Sequence, residues 1–192
     1  MTYLLLGLFL FLGVHSLRML APGWRSGCIT RLGPAGYKGL YSLCAGLGFA
    51  LVVWGFAQAR EAPLMLWVPP AAMRHLAALL TLVAFVLLAA AYVPRNAFKA
   101  RLHHPMLLAV KTWAVAHLLA NGTLSHVLLF GAFLVWAVCD FVSVQRRDRA
   151  GAVVYAPGST AGTLASVLLG ALAWALFAFW LHGHWIGIRP FG

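Results

Sequence analysis

Apolar residues along this chain come in runs of nearly twenty, separated by short polar or Pro/Gly-bearing stretches, without the two-residue alternation of a half-buried strand. A run of that length suits a helix crossing the hydrocarbon of a bilayer. Lipid cannot hydrogen-bond exposed backbone, so a spanning segment must be a helix or part of a closed barrel, and these runs read as helices. The pattern predicts spans over residues 3–20, 39–59, 75–93, 105–121, 124–144 and 163–181, the fourth being the shortest and most polar. Pro22-Gly23, Gly33-Pro34, Pro69-Pro70, Pro94, Asn121-Gly122 and Pro157-Gly158 fall between the runs, where each disfavours continued helix.

Composition agrees. With 63% hydrophobic and 9% charged residues over 192 positions, the chain lacks the polar surface a soluble domain of this size requires. The expected fold class is all-α, one polytopic integral membrane bundle of about six transmembrane helices. The first run lacks a basic leader and a small-residue cleavage pattern, so it is expected to stay as a helix.

Charge sets the expected orientation. The first loop carries Arg18, Arg25, Arg31 and Lys38, the third Arg95, Lys99 and Arg101, and the fifth Arg146, Arg147 and Arg149. Against them stand Arg60 and Arg74 in the second loop, none in the fourth and Arg189 at the tail. Lys and Arg flanking spans are held on the cytoplasmic side, which predicts the odd loops in the cytoplasm and both termini outside, in the periplasm for a protein of the bacterial inner membrane. The net charge of +11 then faces anionic membrane lipid. Nucleic-acid binding is not expected, because the basic residues form no soluble basic and aromatic module.

Cys28, Cys44 and Cys139 are scattered and odd in number, which reads as free thiols. Gly46, Gly48 and Gly55, like Gly170 in the last run, read as close-packing positions between helices rather than nucleotide glycines. The sequence shows neither a phosphate-binding loop nor paired acidic residues suited to hydrolysis.

Polarity at membrane depth is the remaining signal, since ionisable groups there are costly and tend to face a bundle interior or a cofactor. His15 lies inside the first run, His75 opens the third, His104 opens the fourth before Pro105, and His117 lies well inside the fourth. His104 and His117 are about 20 Å apart along a continuous helix, too far to bind one ion. His104 and Lys111 share one stripe of that helix, while Trp113, His117 and Asn121 recur every four residues along another. Imidazoles from different helices can hold haem iron axially, and they can equally bond helix to helix. His182 and His184 read as interfacial, as do Trp24, Trp67 and Trp185 near helix ends.

Val14-His15-Ser16-Leu17-Arg18, Tyr37-Lys38-Gly39-Leu40-Tyr41-Ser42-Leu43, His104-Pro105-Met106 and the stretch Lys111-Thr112-Trp113-Ala114-Val115-Ala116-His117 through Gly122 resemble the bacterial NnrU family across about residues 1–143. More distantly, the family is similar to the plant zeta-carotene isomerase, a membrane enzyme using haem b, in which a Val-His-Ser and a His-Pro followed by Trp-x-x-x-His recur in the same order. The resemblance implies haem b with His15 and His117 as axial iron ligands, and His75 and His104 as matched positions without an assigned role. By rise along the helices, His117 lies nearer the level of His75 and His15 nearer that of His104, so depth leaves the pairing open. Lys111 is placed either to meet a haem propionate or to snorkel to the basic surface, and Arg18 and Arg25 to meet a propionate or lipid phosphate. Residues 144–192 depart from the isomerase and read as a cytoplasmic loop plus an additional C-terminal helix.

The NnrU resemblance implies a haem-binding inner-membrane protein supporting nitrite and nitric oxide metabolism in denitrification, with a nitrite or nitric oxide reductase system as partner. The rival expectation is an enzyme, a haem-dependent cis-trans isomerase of a polyene such as a carotenoid. A membrane methyltransferase, suggested by His-Pro at a helix start, ranks last. Asp140 is followed by Arg146-Arg147-Asp148-Arg149, without the Tyr-rich and Glu-bearing segment such a site needs.

Overall fold

The computed structural model describes residues 1–191, and all the regular elements among them are helical. In chain order these are α1 (Thr2–Leu20), α2 (Pro22–Ala59), α3 (Ala72–Tyr92), α4 (Ala97–Leu102), α5 (Pro105–Ala120), α6 (Leu124–Ala150) and α7 (Thr160–Leu176), then a π-turn (Phe177–Leu181) and α8 (His182–Ile186). Five stretches are long and apolar enough to cross a bilayer: α1, α2, α3, α6 and the continuous Thr160–Ile186; α5 is apolar but shorter. Large apolar side chains lie bare on these helices, among them Phe9 at 80% exposure and Leu172 at 68%. A surface of that kind is stable against lipid and not against water. The chain is a multi-pass helical membrane protein, and the six apolar runs are all helices.

One boundary differs from expectation. Pro22 does not hold a loop open but occupies the first turn of α2, where its missing N–H has no intrahelical partner to lose. A further break falls at Gly33, as the Gly33-Pro34 pair predicts: its φ of 71° lies outside the helical region ahead of Pro34. Residues 22–32 are therefore a helical arm carrying Trp24 at 59% and Leu32 at 50% exposure, with the Arg25 guanidinium 5.4 Å from the Tyr37 ring centre.

The chain packs as two units, Met1–Trp67 with Gly122–Trp136 and Val68–Asn121 with Ala137–Gly192. In the first, α1 lies against α2 at glycines: a Cβ on Gly48 would strike the Phe11 backbone, and one on Gly55 the backbone of Leu4. Gly46 departs from its expected packing role, because it is exposed and faces open space. The α2–α3 connection is pinned by Leu66 N donating to Gly122 O at 2.8 Å and Leu124 N to Leu64 O at 2.9 Å.

In the second unit α3 packs against α5 and α7. Gly170 lets α7 approach so closely that a Cβ there would fall on Val86 of α3. Asn96 is fully buried; its Nδ2 donates to Ala90 O and Val93 O while its Oδ1 caps α4 by accepting from Lys99 N. Ser159 caps α7 and also donates to Arg95 O at 2.9 Å, fastening the start of α7 to the α3–α4 turn.

Candidate functional site

A cavity of about 430 Å³ opens in the second unit among α3, α5, α7, the π-turn and the tail after α8. On α3 it is bounded by one stripe, Arg74, Ala77, Ala78, Thr81 and Phe85, whose two alanines leave the space. Trp113, His117 and Asn121 form the α5 wall, so the four-residue stripe read from the sequence faces one cavity.

Opposite them, Trp174 Nε1 donates to Thr81 Oγ1 at 3.0 Å, joining α7 to α3 across the wall. The π-turn contributes Phe177 and Ala178. Turns of this kind interrupt α-helices frequently at functional sites. Beyond α8 the chain reverses at Gly187, φ 79°, and His182 Nδ1 donates to Ile188 O at 2.6 Å. This returns Arg189 and Phe191 to the cavity, with Phe191 stacked 5.0 Å from Phe179.

His117 Nδ1 lies 2.9 Å from Trp113 O, and Asn121 Nδ2 donates to His117 O at 2.9 Å. A carbonyl only accepts, so a neutral His117 keeps its proton on Nδ1 and its lone pair on Nε2, the arrangement of a metal-binding imidazole. His15, in the first unit, repeats the device: its Nδ1 is 2.7 Å from Phe11 O, and its ring is flanked by Phe11 at 4.3 Å, Tyr41 at 5.4 Å and Trp136 at 6.1 Å.

The other expected residues lie elsewhere. His75 is exposed at the start of α3 and outside the cavity lining. Lys111 sits with Nζ 3.6 Å from the centre of the Phe141 ring, a cation–π contact that occupies its charge away from the cavity. His104 Nε2 meets Asp148 Oδ2 at 2.7 Å, Tyr155 OH donates to the same oxygen at 2.5 Å, and the His103 ring stacks on Tyr155 at 4.1 Å. Desolvation, then the bond to Asp148 and its charge, push the Tyr155 hydroxyl up to about 12.

Trp174, Thr81 and the π-turn carried no motif, and Arg74 and Arg189 showed only as loop and tail charges; none marked the cavity in the sequence. Nor did the sequence single out His126, whose Nδ1 lies 2.6 Å from Thr123 Oγ1 beside Phe56 in the first unit.

Among the described residues no group of three or more His, Cys, Asp or Glu side chains could hold a metal ion. Iron bound by one or two imidazoles would need ligands of its own, as a macrocycle supplies. An imidazole with its lone pair on Nε2, aromatic walls and two guanidiniums make a donor set that haem fits.

None of the curated proteins and none of the solved structures matches this chain. The family model described as NnrU protein matches residues 3–190, which takes in the cavity helices and the tail as far as Pro190. With nearly its whole length matched, this multi-pass membrane protein belongs to the NnrU family.

Proposed function

We propose that the protein binds haem b in the bacterial inner membrane and supports nitrite and nitric oxide metabolism during denitrification, alongside a nitrite or nitric oxide reductase system. The observation carrying this reading is His117, fixed by Trp113 O in the Nε2 lone-pair tautomer on the wall of an aromatic cavity. His117 is the iron ligand in this reading; His15 carries the same bond from Nδ1, to Phe11 O, in the other unit. Trp113 and Asn121 position His117, while Phe85, Trp174 and Phe177 exclude water. Bound haem would supply an iron centre able to take up nitric oxide or pass an electron. In this reading the basic loops face the cytoplasm and both termini lie in the periplasm, as the charge asymmetry of the loops supports.

Detergent-purified protein expressed with ample haem is expected to show a Soret band that His117→Ala abolishes or shifts. A wild-type protein without that band sinks the reading. The apolar cavity walls also favour a second reading, a polyene held beside the haem for cis-trans isomerisation. Anaerobic, reduced assays with a cis polyene that give no product remove it.

A further inference from the structure

The cavity has a charge arrangement that iron ligation alone does not explain. Two cationic side chains, Arg74 and Arg189, line it, and among the described residues no Asp or Glu does. Acidic side chains are scarce, three in the whole sequence: Glu61, Asp140 and Asp148. Asp140 faces Arg147 at 3.7 Å, Asp148 is taken by His104 and Tyr155, and Glu61 belongs to the other unit.

Both arginines are exposed, whereas Thr81, Phe85 and His117 are partly covered. From Arg74 to Phe85 the α3 stripe descends about 16 Å, polar at its start and apolar within. Arg189 is held there by built features, namely the reversal at Gly187, the His182–Ile188 bond and the absence of a side chain at Gly183. A Cβ on Gly183 would lie 3.0 Å from Arg189 Cγ.

We infer that the cavity selects a ligand with an apolar body and two carboxylates, which Arg74 and Arg189 receive at the mouth while the body lies inward beside His117. Guanidinium suits this task because its planar fork accepts a carboxylate through two parallel hydrogen bonds and stays charged at any physiological pH. Each pair forms in partly hydrated surroundings, so the selection weakens as salt rises. The inference deepens the haem reading and rests on it for the identity of the apolar body.

The test uses the full chain in neutral detergent and two iron-free probes, protoporphyrin IX and its dimethyl ester, titrated by fluorescence. The diacid is expected to bind about tenfold or more tightly than the ester, the worth of one charge-assisted pair. Arg74→Gln and Arg189→Gln should each reduce the preference and the double variant should erase it, with ester affinity unchanged as the sign of an intact fold. Equal binding of acid and ester by the wild type overturns the inference, as does a double variant that keeps the preference. Displacement of the diacid by phosphatidylglycerol added to the micelles assigns the arginines to lipid phosphate and overturns it too. Haem spectra of the same samples separate the two readings: a His117-dependent Soret band with no acid preference leaves haem binding standing, and acid preference with no such band leaves only the dicarboxylate site.

Discussion

The His104 imidazole and the Asp148 carboxylate meet at 2.7 Å although forty-four residues separate them, joining the start of α5 to the end of α6. Tyr155 closes the knot from the following loop. Its hydroxyl is raised from an ordinary 10.0 to about 12 in the folded protein, so the folded state holds that proton more tightly than the unfolded chain does. The knot's stabilisation is therefore complete below about pH 10 and lost as pH climbs towards 12. Thermal unfolding of the wild type in detergent should show an alkaline decline over that window which Tyr155→Phe lacks.

Asn96 makes three hydrogen bonds with no exposure to solvent. Asn96→Ala orphans the buried Ala90 carbonyl and the part-buried Val93 carbonyl and uncaps α4, and should cost about 2–4 kcal/mol. Denaturant titration measures it, and a loss below about 1 kcal/mol contradicts the account.

Gly170 and Gly46 give a paired test of helix approach. Gly170→Ala sets a Cβ 2.5 Å from Val86 Cα and should destabilise by about 1–3 kcal/mol. Gly46→Ala meets nothing within 4 Å and should be neutral or stabilising by up to about 1 kcal/mol through helix propensity. Melting temperatures of the two variants should move in opposite directions, or only that of Gly170→Ala should fall.

Trp174→Phe removes the indole N–H that reaches Thr81, about 1 kcal/mol of stability, while keeping an aromatic wall. The larger effect is expected on ligand retention, read as faster dissociation of bound porphyrin.

Orientation is open to a direct check. Reporter fusions after Ala150 and at the C-terminus should report opposite sides of the membrane, cytoplasmic for the first and periplasmic for the second.

The helices were legible because an apolar run of spanning length admits few structures in lipid, and the α5 stripe because residues four apart share a face. What stayed hidden has a common cause. Trp174 and Thr81 are ninety-three positions apart and Tyr155 and His104 fifty-one, and no local rule brings such residues together. Pro22 follows a real break at Ala21, but a proline in sequence does not say whether a loop or the first turn of a new helix comes next, and here it opens α2. Gly46 was grouped with Gly48 because composition marks small residues without saying which face they occupy. Arg189 looked like a tail charge until the turn at Gly187 returned it to the cavity.

The widened turn at Phe177–Leu181 has an architectural consequence. Closing on the fifth residue instead of the fourth inserts one position into the helical count, so all that follows is out of phase by about 100° with an unbroken α-helix. The azimuth of His182, and with it the place where the chain doubles back, is thus set by arithmetic rather than by side-chain identity. Removing a single residue from this turn would leave most of the wall chemically intact and swing the closing segment away from the chamber it covers.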